Sequence, residues 1–443
     1  MSVRTFKGGI HPPEFKGQTN GLSIESLPLA DELFVPLHQH TGKPCDSLVS
    51  IGDRVLKGQK IGDTDGFISA PVHSPVTGTV TSIEKRIGFS GQNTLGVAIS
   101  VDQEGQEETA FMEAMPDWEQ AEVGTIQKAA REAGLVGLGG AAFPTHVKLS
   151  PPEDKAIDTV IINGCECEPF LTCDHRLMLE EAEQMITGSR IMKKAVGADK
   201  IIIGIEDNKP DAVEHVRQAA RDYEDISVQI LETKYPQGAE KQLIQALVGR
   251  EVPSGKLPMD VGALVHNVGT AVALAQAVVE GRPLLDRVIT VSGPSISRPA
   301  NVRVPVGTPI SHVIEHLGGL KDDVARVVLG GPMTGTAQSS LSVAVVKGTS
   351  GILAMNKEIT ARLDDSYKDC VRCNRCVSAC PMFLYPNFLG VAAEYRDWDR
   401  AEQEGALDCV ECGVCAFVCP SARPLVRFFR GAKAAIWEKR RQA

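Results

Sequence analysis

The spacing of apolar residues predicts two kinds of sheet in the first two thirds of the chain. Residues 37–101 carry short alternating runs separated by turns, which is typical of a small β barrel or sandwich. In residues 117–285, short apolar runs at 159–162 and 201–205 alternate with helical stretches, one of them at 174–196. Strands that alternate with helices predict a parallel, Rossmann-like α/β sheet covered by helices.

The remaining segments have other patterns. Residues 286–355 return to strands with one helix among them, and predict a small α+β module of the β-grasp, SLBB-like type. Residues 1–36 are rich in glycine and proline and predict an extended arm. Residues 360–443 lose the strand pattern and form a helical, cysteine-rich module. The predicted fold class is therefore a multidomain α/β and α+β protein.

Charge and hydropathy exclude several classes of function. The chain has 443 residues, a net charge of −10 and only 5% aromatic residues. Nucleic-acid binding needs a basic surface and stacking aromatics, so we expect no nucleic-acid partner. Residues 261–279 are the best candidate for a membrane span, but polar residues such as His266 and Asn267 interrupt them, which predicts a buried helix. Residues 1–10 do not have the apolar core of a signal peptide, so we expect a cytoplasmic protein.

Eight of the twelve cysteines lie in the last 74 residues. They form two runs with the spacing C-x2-C-x2-C-x3-C-P, which bacterial ferredoxins use to bind [4Fe–4S] clusters. Zinc sites use two separated pairs of ligands, so the spacing favours iron–sulfur clusters. Three closely spaced thiolates bind three irons of one cube, and the fourth serves the other cube. We therefore expect a first cysteine group of Cys370, Cys373, Cys376 and Cys419, and a second cysteine group of Cys380, Cys409, Cys412 and Cys415.

Residues 37–101 resemble the biotinyl and lipoyl carrier family of barrel-sandwich folds. The resemblance rests on residues 51–59 and 70–80, which read IGDRVLKGQ and APVHSPVTGTV. Carrier domains of that family present a lysine on the hairpin between these two halves. This chain has no lysine between Lys60 and Lys85. We therefore expect a barrel-sandwich hybrid that packs against other domains and carries no swinging cofactor.

Four segments of the α/β region resemble the flavin- and NADH-binding subunit of respiratory complex I in order and spacing. They are residues 137–148 (GLGGAAFPTHVK), 163–169 (NGCECEP), 235–240 (YPQGAE) and 266–270 (HNVGT). The G-x-G-x-x-A of the first segment is weak by itself, because a helix and not a strand precedes it. The resemblance implies that FMN is bound by Gly137, Gly139, Gly140, Lys148, Asn163, Glu166, Tyr235, Gly238, Asn267 and Thr270. It also implies that Phe143 and Glu240 lie on the NADH side.

The chain departs from that family at four positions. Leu138 replaces an arginine, Cys165 an aspartate, Cys167 a serine and Ala239 a glutamate. These changes affect the contacts with the flavin ring and the affinity for the nucleotide more than the fold or the FMN site. Cys165, Cys167 and Cys173 are expected to be small packing residues, and the alternative is a third metal centre.

Over the whole chain the order of domains resembles the C subunit of the Rnf ion-translocating electron transport complex. Residues 8–13, GGIHPP, also look like the opening of that family. The resemblance implies the electron-input subunit of a membrane-bound NADH:ferredoxin oxidoreductase, in which NADH gives a hydride to FMN and two [4Fe–4S] clusters accept single electrons. It implies as partners NADH and the membrane and ferredoxin-like subunits of the complex. The protein would then be peripheral, at the cytoplasmic face of the bacterial inner membrane.

Two other functions remain open. A flavin and iron–sulfur cobalamin reductase of bacterial microcompartments resembles the chain from the flavin domain onward, but its barrel-like segment follows the ferredoxin motifs. An electron-transfer adaptor would use the α/β domain as a scaffold and bind no nucleotide.

The C-terminal segment, residues 424–443, is basic and amphipathic. It predicts either a helix packed on the ferredoxin module or a contact with a membrane partner or anionic lipid.

Overall fold

The computed structural model describes residues 3–364 and 367–442. The first eight strands, in chain order, are β1 (Ile24–Ser26), β2 (Glu32–Pro36), β3 (Asp46–Ser47), β4 (Arg54–Val55), β5 (Lys60–Asp63), β6 (Val72–His73), β7 (Gly78–Ile87) and β8 (Asn93–Val101). Strands β2, β8, β7 and β4 form one antiparallel sheet, and β3, β5 and β6 form a second. Alternate apolar side chains of both sheets fill one core, as expected for a barrel-sandwich.

The extended arm is shorter than the 36 residues expected from composition. Strand β2 pairs with β8 along its whole length and buries Leu33 and Val35 in the barrel core, so it belongs to the barrel. Residues 3–23 run as an arm over later parts of the chain. The backbone of Arg4 bridges Leu231, and Ile10 exchanges hydrogen bonds with Tyr235.

The α/β domain follows as an alternation of helices and strands. Its elements are α1 (Val123–Glu132), α2 (Thr145–Lys148), β9 (Thr159–Gly164), α3 (Cys173–Glu180), α4 (Ala182–Val196), β10 (Lys200–Glu206), α5 (Pro210–Ala220), β11 (Ile226–Leu231), α6 (Glu240–Val248), β12 (Ala263–Asn267) and α7 (Val268–Val279). The four strands form one parallel sheet in the order β11-β10-β9-β12. Buried isoleucines and valines fill these strands because helices cover both faces.

Two expectations for this domain have clear outcomes. The helical stretch expected over residues 174–196 is helical but forms two helices, because Glu181 leaves helical geometry (φ −131°, ψ 31°) and divides α3 from α4. The apolar segment at 261–279 forms β12 and α7, and α7 is buried along nearly its whole length against α4. Within the described parts of the chain, no helix is both long enough and apolar enough to cross a membrane.

The β-grasp module contains β13 (Asp286–Ser292), β14 (Ala300–Pro305), α8 (Ile310–His316), β15 (Val324–Leu329), β16 (Thr336–Gln338) and β17 (Gly351–Asn356). Its mixed sheet has the order β1-β14-β13-β17-β15-β16, so β1, which directly follows the arm, supplies one edge. The buried amino group of Lys347 donates to the carbonyl oxygens of Pro71 and Gly134 at 2.6 and 2.7 Å. One lysine thus joins the barrel, the α/β domain and the β-grasp module.

The last module is helical and holds the eight clustered cysteines. Its helices are α9 (Lys357–Asp364), α10 (Arg375–Ala379), α11 (Pro386–Glu394), α12 (Trp398–Gln403), α13 (Val414–Phe417) and α14 (Leu425–Gln442). Helix α14 is amphipathic and buries Leu425, Phe429 and Ile436 against the module.

The basic residues of α14 are largely neutralised within this module. Lys433 contacts Glu411 at 2.7 Å, while Lys439 and Arg440 pair with Asp399 and Glu402. Of the two alternatives predicted for residues 424–443, the structure shows the helix packed on the ferredoxin module.

Candidate cofactor sites

The residues expected to bind FMN converge at the carboxyl edge of the parallel sheet, where ligands of such folds bind. Strand β9 ends at Asn163, whose side-chain amide donates to the carbonyl oxygen of Gly238 at 2.8 Å. Strand β12 ends at Asn267, whose side-chain oxygen caps α7 by accepting from the amide of Gly269. Both asparagines are therefore fixed by the loops that surround this edge.

The glycine-rich loop, residues 137–142, lies over the same edge. The amide of Leu138 donates to the Thr270 hydroxyl at 2.9 Å, and the amide of Gly137 donates to the carbonyl oxygen of Phe143 at 2.8 Å. Gly139 lies against Asn267, because a Cβ built there would be 3.3 Å from the Asn267 Cβ. Gly140 is exposed, with φ +100° and open space on its side-chain face. Such a backbone leaves room for close approach of a phosphate or a ring.

A buried arginine lies beneath this loop, which sequence reasoning missed. Leu138, at the position where the complex I family has arginine, is buried, and its carbonyl oxygen accepts from Arg287 at 3.0 Å. Arg287 comes from β13 and also donates to the carbonyl oxygen of Thr349. Burial lowers the pKa of its guanidinium. The loop is thus held by a cation of the β-grasp module.

Lys148 and Glu240, expected to serve different ligands, are in contact. The amino group of Lys148 lies 2.8 Å from a carboxylate oxygen of Glu240 and also donates to the carbonyl oxygen of Val265. Both side chains are partly exposed. A phosphate that approaches Lys148 would compete with Glu240 for the same amino group.

Glu166 lies at the amino end of α3 in a left-handed conformation (φ 49°). Its carboxylate accepts from the amides of Asp174 and His175, the favourable place for an anion at a helix start. Asp174 in turn accepts from the Asn267 side chain at 2.5 Å. Burial and the neighbouring Glu166 charge raise the pKa of Asp174 to about 7. Asp174 is thus in contact with two of the expected site residues, which the sequence motifs did not indicate.

The loop that carries Glu166 is held by the N-terminal arm. The buried amino group of Lys16 donates to the carbonyl oxygens of Glu166, Glu168 and Leu171 at 2.8, 3.0 and 2.5 Å. On the other side, the Glu168 carboxylate accepts from the amide of Met333 at 3.0 Å. The loop is therefore fixed between the arm and the β-grasp module.

The three cysteines near this site have the environment of packing residues. Cys165 and Cys173 are buried, and burial raises the pKa of both thiols and of Cys167. One possible ligand atom each from Glu166, Cys173 and Asp174 lies within 4.8 Å of the others. However, Glu166 already accepts from the helix amides and the Cys173 thiol donates to the carbonyl oxygen of Ser350 at 3.3 Å. These contacts favour packing over a third metal centre.

The structure brings together the cysteines expected to share a cluster, three from one motif and one from the other; we call this arrangement crossed ligation. One cavity is lined by Cys370, Cys373, Cys376 and Cys419, so the last cysteine of the second motif meets the first three of the first motif. Cys380 lies near Cys409, Cys412 and Cys415, and its charge contributes to the raised pKa of those thiols. Burial is the largest cause in each case, and the pKa of Cys412 reaches about 12. Bound iron would provide the positive charge that stabilises such buried thiolates.

The backbone repeats between the two cysteine motifs. Residues on either side of the middle cysteine have positive φ in both: 55° and 59° beside Cys373, and 56° and 84° beside Cys412. Phe383 and Ala422 also have matching φ values, 54° and 50°. Each lies three residues after the last cysteine of its motif. Such turns direct successive amides into a concave, anion-binding surface of the kind found at iron–sulfur sites. The donor set and the backbone both fit [4Fe–4S] clusters.

The second cysteine group faces the α/β domain. The hydroxyl of Tyr235, a residue expected beside the flavin, donates to the carbonyl oxygen of Cys412 at 2.7 Å. Gln242 of α6 donates to the carbonyl oxygen of Pro381, and the amide of Gly9 donates to the carbonyl oxygen of Ala379. Burial raises the pKa of Tyr235, so its hydroxyl keeps its proton. The first cysteine group lies farther out, and Cys373 is exposed.

A flavin-type loop joined to two ferredoxin-type cysteine groups defines a flavin and iron–sulfur electron-transfer protein. Comparison with known families agrees, domain by domain. Residues 4–104 match the RnfC barrel sandwich hybrid domain, residues 130–276 the Nuo51 FMN-binding domain, residues 288–337 the SLBB domain and residues 362–421 the 4Fe-4S dicluster domain. The cofactors of the chain are therefore FMN and two [4Fe–4S] clusters.

The chain belongs to the family of C subunits of ion-translocating oxidoreductase complexes. It is 43% identical over 444 residues to the C subunit of the Na(+)-translocating ferredoxin:NAD(+) oxidoreductase complex of Acetobacterium woodii, with 100% of both chains covered. It is 43% identical to the C subunit of the proton-translocating complex of Clostridium ljungdahlii, covering 91% of this chain and 87% of that one. It is 40% identical to the C subunit of the ion-translocating oxidoreductase complex of Haemophilus influenzae, covering 98% of this chain and 66% of that one.

A solved structure shares the fold at lower identity. An NAD+-reducing [NiFe]-hydrogenase in the air-oxidised state has a TM-score of 0.50 and 21% identity, covering 72% of this chain and 64% of that one. The family assignment confirms the resemblance to the C subunit of the Rnf complex and favours it over the cobalamin reductase.

Proposed function

We propose that this chain is the electron-input subunit of an ion-translocating NADH:ferredoxin oxidoreductase complex. It takes electrons from NADH and delivers them, one at a time, to the other subunits of that complex. The observation that carries the proposal is the hydrogen bond from Tyr235 to the carbonyl oxygen of Cys412, because it joins the flavin loops directly to the second cysteine group. When bound, FMN supplies the exchange between hydride and single electrons, and the two clusters supply single-electron transfer.

The contacts described above support a proposal for which residues hold the groups. The exposed backbone of Gly139 and Gly140 would cradle FMN, and Lys148 would meet its phosphate after release from Glu240. Asn163 and Asn267, fixed by Gly238 and by the start of α7, would orient the flavin ring and its tail. The full FMN set is Gly137, Gly139, Gly140, Lys148, Asn163, Glu166, Tyr235, Gly238, Asn267 and Thr270, with Phe143 and Glu240 toward NADH.

Crossed ligation is part of the same proposal. Cys419 completes the first cysteine group and Cys380 the second, as the shared cavity and the neighbouring thiols favour. We further propose that the chain docks at the cytoplasmic face of the bacterial inner membrane, because its relatives are subunits of ion-translocating complexes and its proposed electron donor is NADH.

The test is reconstitution of the full chain with FMN and iron–sulfur clusters, followed by titration with NADH. We expect flavin and cluster absorbance to bleach together as NADH is added. An adaptor would bind no FMN, and a chain that binds FMN without NADH-dependent bleaching would contradict the proposal.

A pair of glycine variants tests the placement of the flavin. Gly140 and Gly197 both have positive φ, +100° and +66°, and open space beside them. Gly140→Ala should lower FMN occupancy, because its methyl group projects into the space proposed for the cofactor. Gly197→Ala also puts an alanine at positive φ, at the end of α4 and away from the proposed site, and should leave occupancy unchanged. Equal effects of the two substitutions would exclude Gly140 from the site.

A further inference from the structure

We propose that an exposed face of the ferredoxin module is the docking surface for an iron–sulfur subunit of the same complex. We call it the exit face. It consists of the apolar side chains Val371, Phe388, Val391 and Tyr395 and the cations Lys368, Arg372, Arg375 and Arg396. The partner binds through an acidic surface of its own. The inference rests on the proposed function, since it names where electrons leave the chain.

Part of the exit face, including Val371, Arg372 and Arg375, lies beside the cysteine group that is farther from the flavin loops. Cys373 is exposed, whereas the second cysteine group is covered by the α/β domain and the arm. Val371 and Asn387 line the same cavity as the first cysteine group. Asn387, in the first turn of α11, also donates to the side chain of Asn374 at 3.1 Å. The start of α11 therefore lies at the rim of the first cluster site.

Helix α11 carries an apolar stripe outward from this rim. Phe388 and Val391 lie on one face of α11, Tyr395 follows directly as the cap of its C-terminus, and the three residues are 49%, 37% and 79% exposed. Val371, at the cavity itself, is 66% exposed. Tyrosine is among the residues that most often anchor protein interfaces. Transient redox partners bury little area, so a stripe of this size is sufficient for one.

The charge around the stripe selects the partner. Lys368, Arg372, Arg375 and Arg396 are exposed, and none pairs with a carboxylate among the residues that the structure describes. Between residues 367 and 397 the only exposed carboxylates are Asp369 and Asp397. This local excess of positive charge occurs on a chain of net charge −10. Complementary charge steers the encounter of two proteins, so the exit face fits an acidic partner.

The other basic surface of the module does not offer the same charge. In α14, Arg430 and Lys433 both contact Glu411, at 2.8 and 2.7 Å, and Lys439 and Arg440 are paired with carboxylates of α12. Its apolar side faces the module core. Lys368, Arg372 and Arg375 each lie within two residues of a cysteine of the first group, and that group is where a partner's cluster would need to approach.

The experiment measures binding of the reconstituted full chain to membranes that contain the other subunits but lack this chain. The test variant is Val391→Ser, Tyr395→Ser and Arg396→Glu combined; none of these residues lies in a cysteine motif. We expect its dissociation constant to rise at least about tenfold, the effect of losing one interface anchor. Wild-type binding should weaken as salt is raised, because screening reduces the attraction between the two charged surfaces.

A matched control uses the β7–β8 hairpin. Phe89→Ser, Leu95→Ser and Lys85→Glu combined make the same kinds of change at exposed positions, and should bind as wild type does. FMN content, iron content and NADH–ferricyanide activity should be unchanged in both variants. Test-variant binding equal to wild type, or equal loss in the control, would overturn the exit face.

Two further outcomes separate the possible failures. If the test variant binds membranes normally but loses affinity for a purified acidic two-cluster ferredoxin, the partner is a soluble ferredoxin and the assignment to a membrane-bound partner is wrong. If the wild type is not reduced by NADH, the proposed function fails, whereas normal reduction with unaltered docking of the test variant rejects the exit face alone.

Discussion

Replacing Lys16 by methionine tests whether the N-terminal arm positions the loop of Glu166. The amino group of Lys16 is buried and donates to three carbonyl oxygens, those of Glu166, Glu168 and Leu171. Methionine keeps most of the length and apolar character of the side chain but has no donor. The variant therefore removes one partner from three buried acceptors and changes the packing little.

The size of the effect follows from those three acceptors. A buried acceptor that loses its partner costs about 1–3 kcal/mol. Removing the buried charge of Lys16 offsets part of this cost, because burial disfavours the charged form and so lowers its pKa. Taking the lower value for each carbonyl gives about 3 kcal/mol, which corresponds to about a 150-fold weaker FMN affinity if only the bound form needs the ordered loop. The ordered loop also stabilises the FMN-free protein, so part of the cost falls on both forms. We therefore expect FMN affinity to fall between about tenfold and about 150-fold.

The assay is FMN binding to the full chain by quenching of flavin fluorescence, with iron content measured on the same sample. Lys7→Met is the control, because Lys7 is an exposed lysine of the same arm. Lys16→Met should lose FMN affinity at unchanged iron content, and Lys7→Met should not. FMN affinity within about twofold of wild type in Lys16→Met would refute positioning by the arm.

Three further predictions use single substitutions. Cys380→Ala should damage the cluster held by Cys409, Cys412 and Cys415, seen as loss of about half the iron with the first cluster's spectrum retained; loss of the first cluster instead would contradict crossed ligation. Lys148→Ala should lower FMN occupancy at unchanged iron content, and normal occupancy would remove Lys148 from the site. Burial lowers the pKa of His73 to about 3, so the unfolded chain binds the proton more tightly and stability falls as pH drops below about 6.5. The contribution is about 2 kcal/mol at pH 5, and His73→Leu should show a smaller fall in thermal midpoint between pH 7 and 5, whereas an identical fall would contradict the assignment.

Local sequence patterns were sufficient to predict the two cysteine motifs and the parallel sheet. The two cysteine motifs repeat in the sequence, and their backbone conformations repeat in the structure, because positive φ beside each middle cysteine is set within a few residues. The apolar runs at β9 and β10 identify a parallel sheet, since buried strands need continuous apolar sequence. The carboxyl edge of that sheet then places Asn163 and Asn267 near each other.

The supporting contacts could not be predicted, because they join residues far apart in sequence. Lys16 lies 150 residues or more from the carbonyl oxygens that it binds, and Arg287 lies 149 residues from Leu138. Nothing in a glycine- and proline-rich arm distinguishes a clamping lysine from a solvated one. Strand β1 is equally hidden, because its partner β14 lies in the β-grasp module. Asp174 stands at a helix start, a local cue that its side chain faces other polar groups, but its contact with Asn267 depends on the fold.

The arm also constrains the order in which the chain assembles during translation. Gly9 is made early, but its hydrogen-bond partner Ala379 follows 370 residues later. At about 5–20 residues per second, the ribosome needs roughly 20–70 s to reach it. Gly8 packs so closely that a Cβ there would lie 2.9 Å from the carbonyl oxygen of Cys380. The backbone contacts that tie the arm to the second cluster site can therefore form only after most of the chain has been made, although the arm itself is made first.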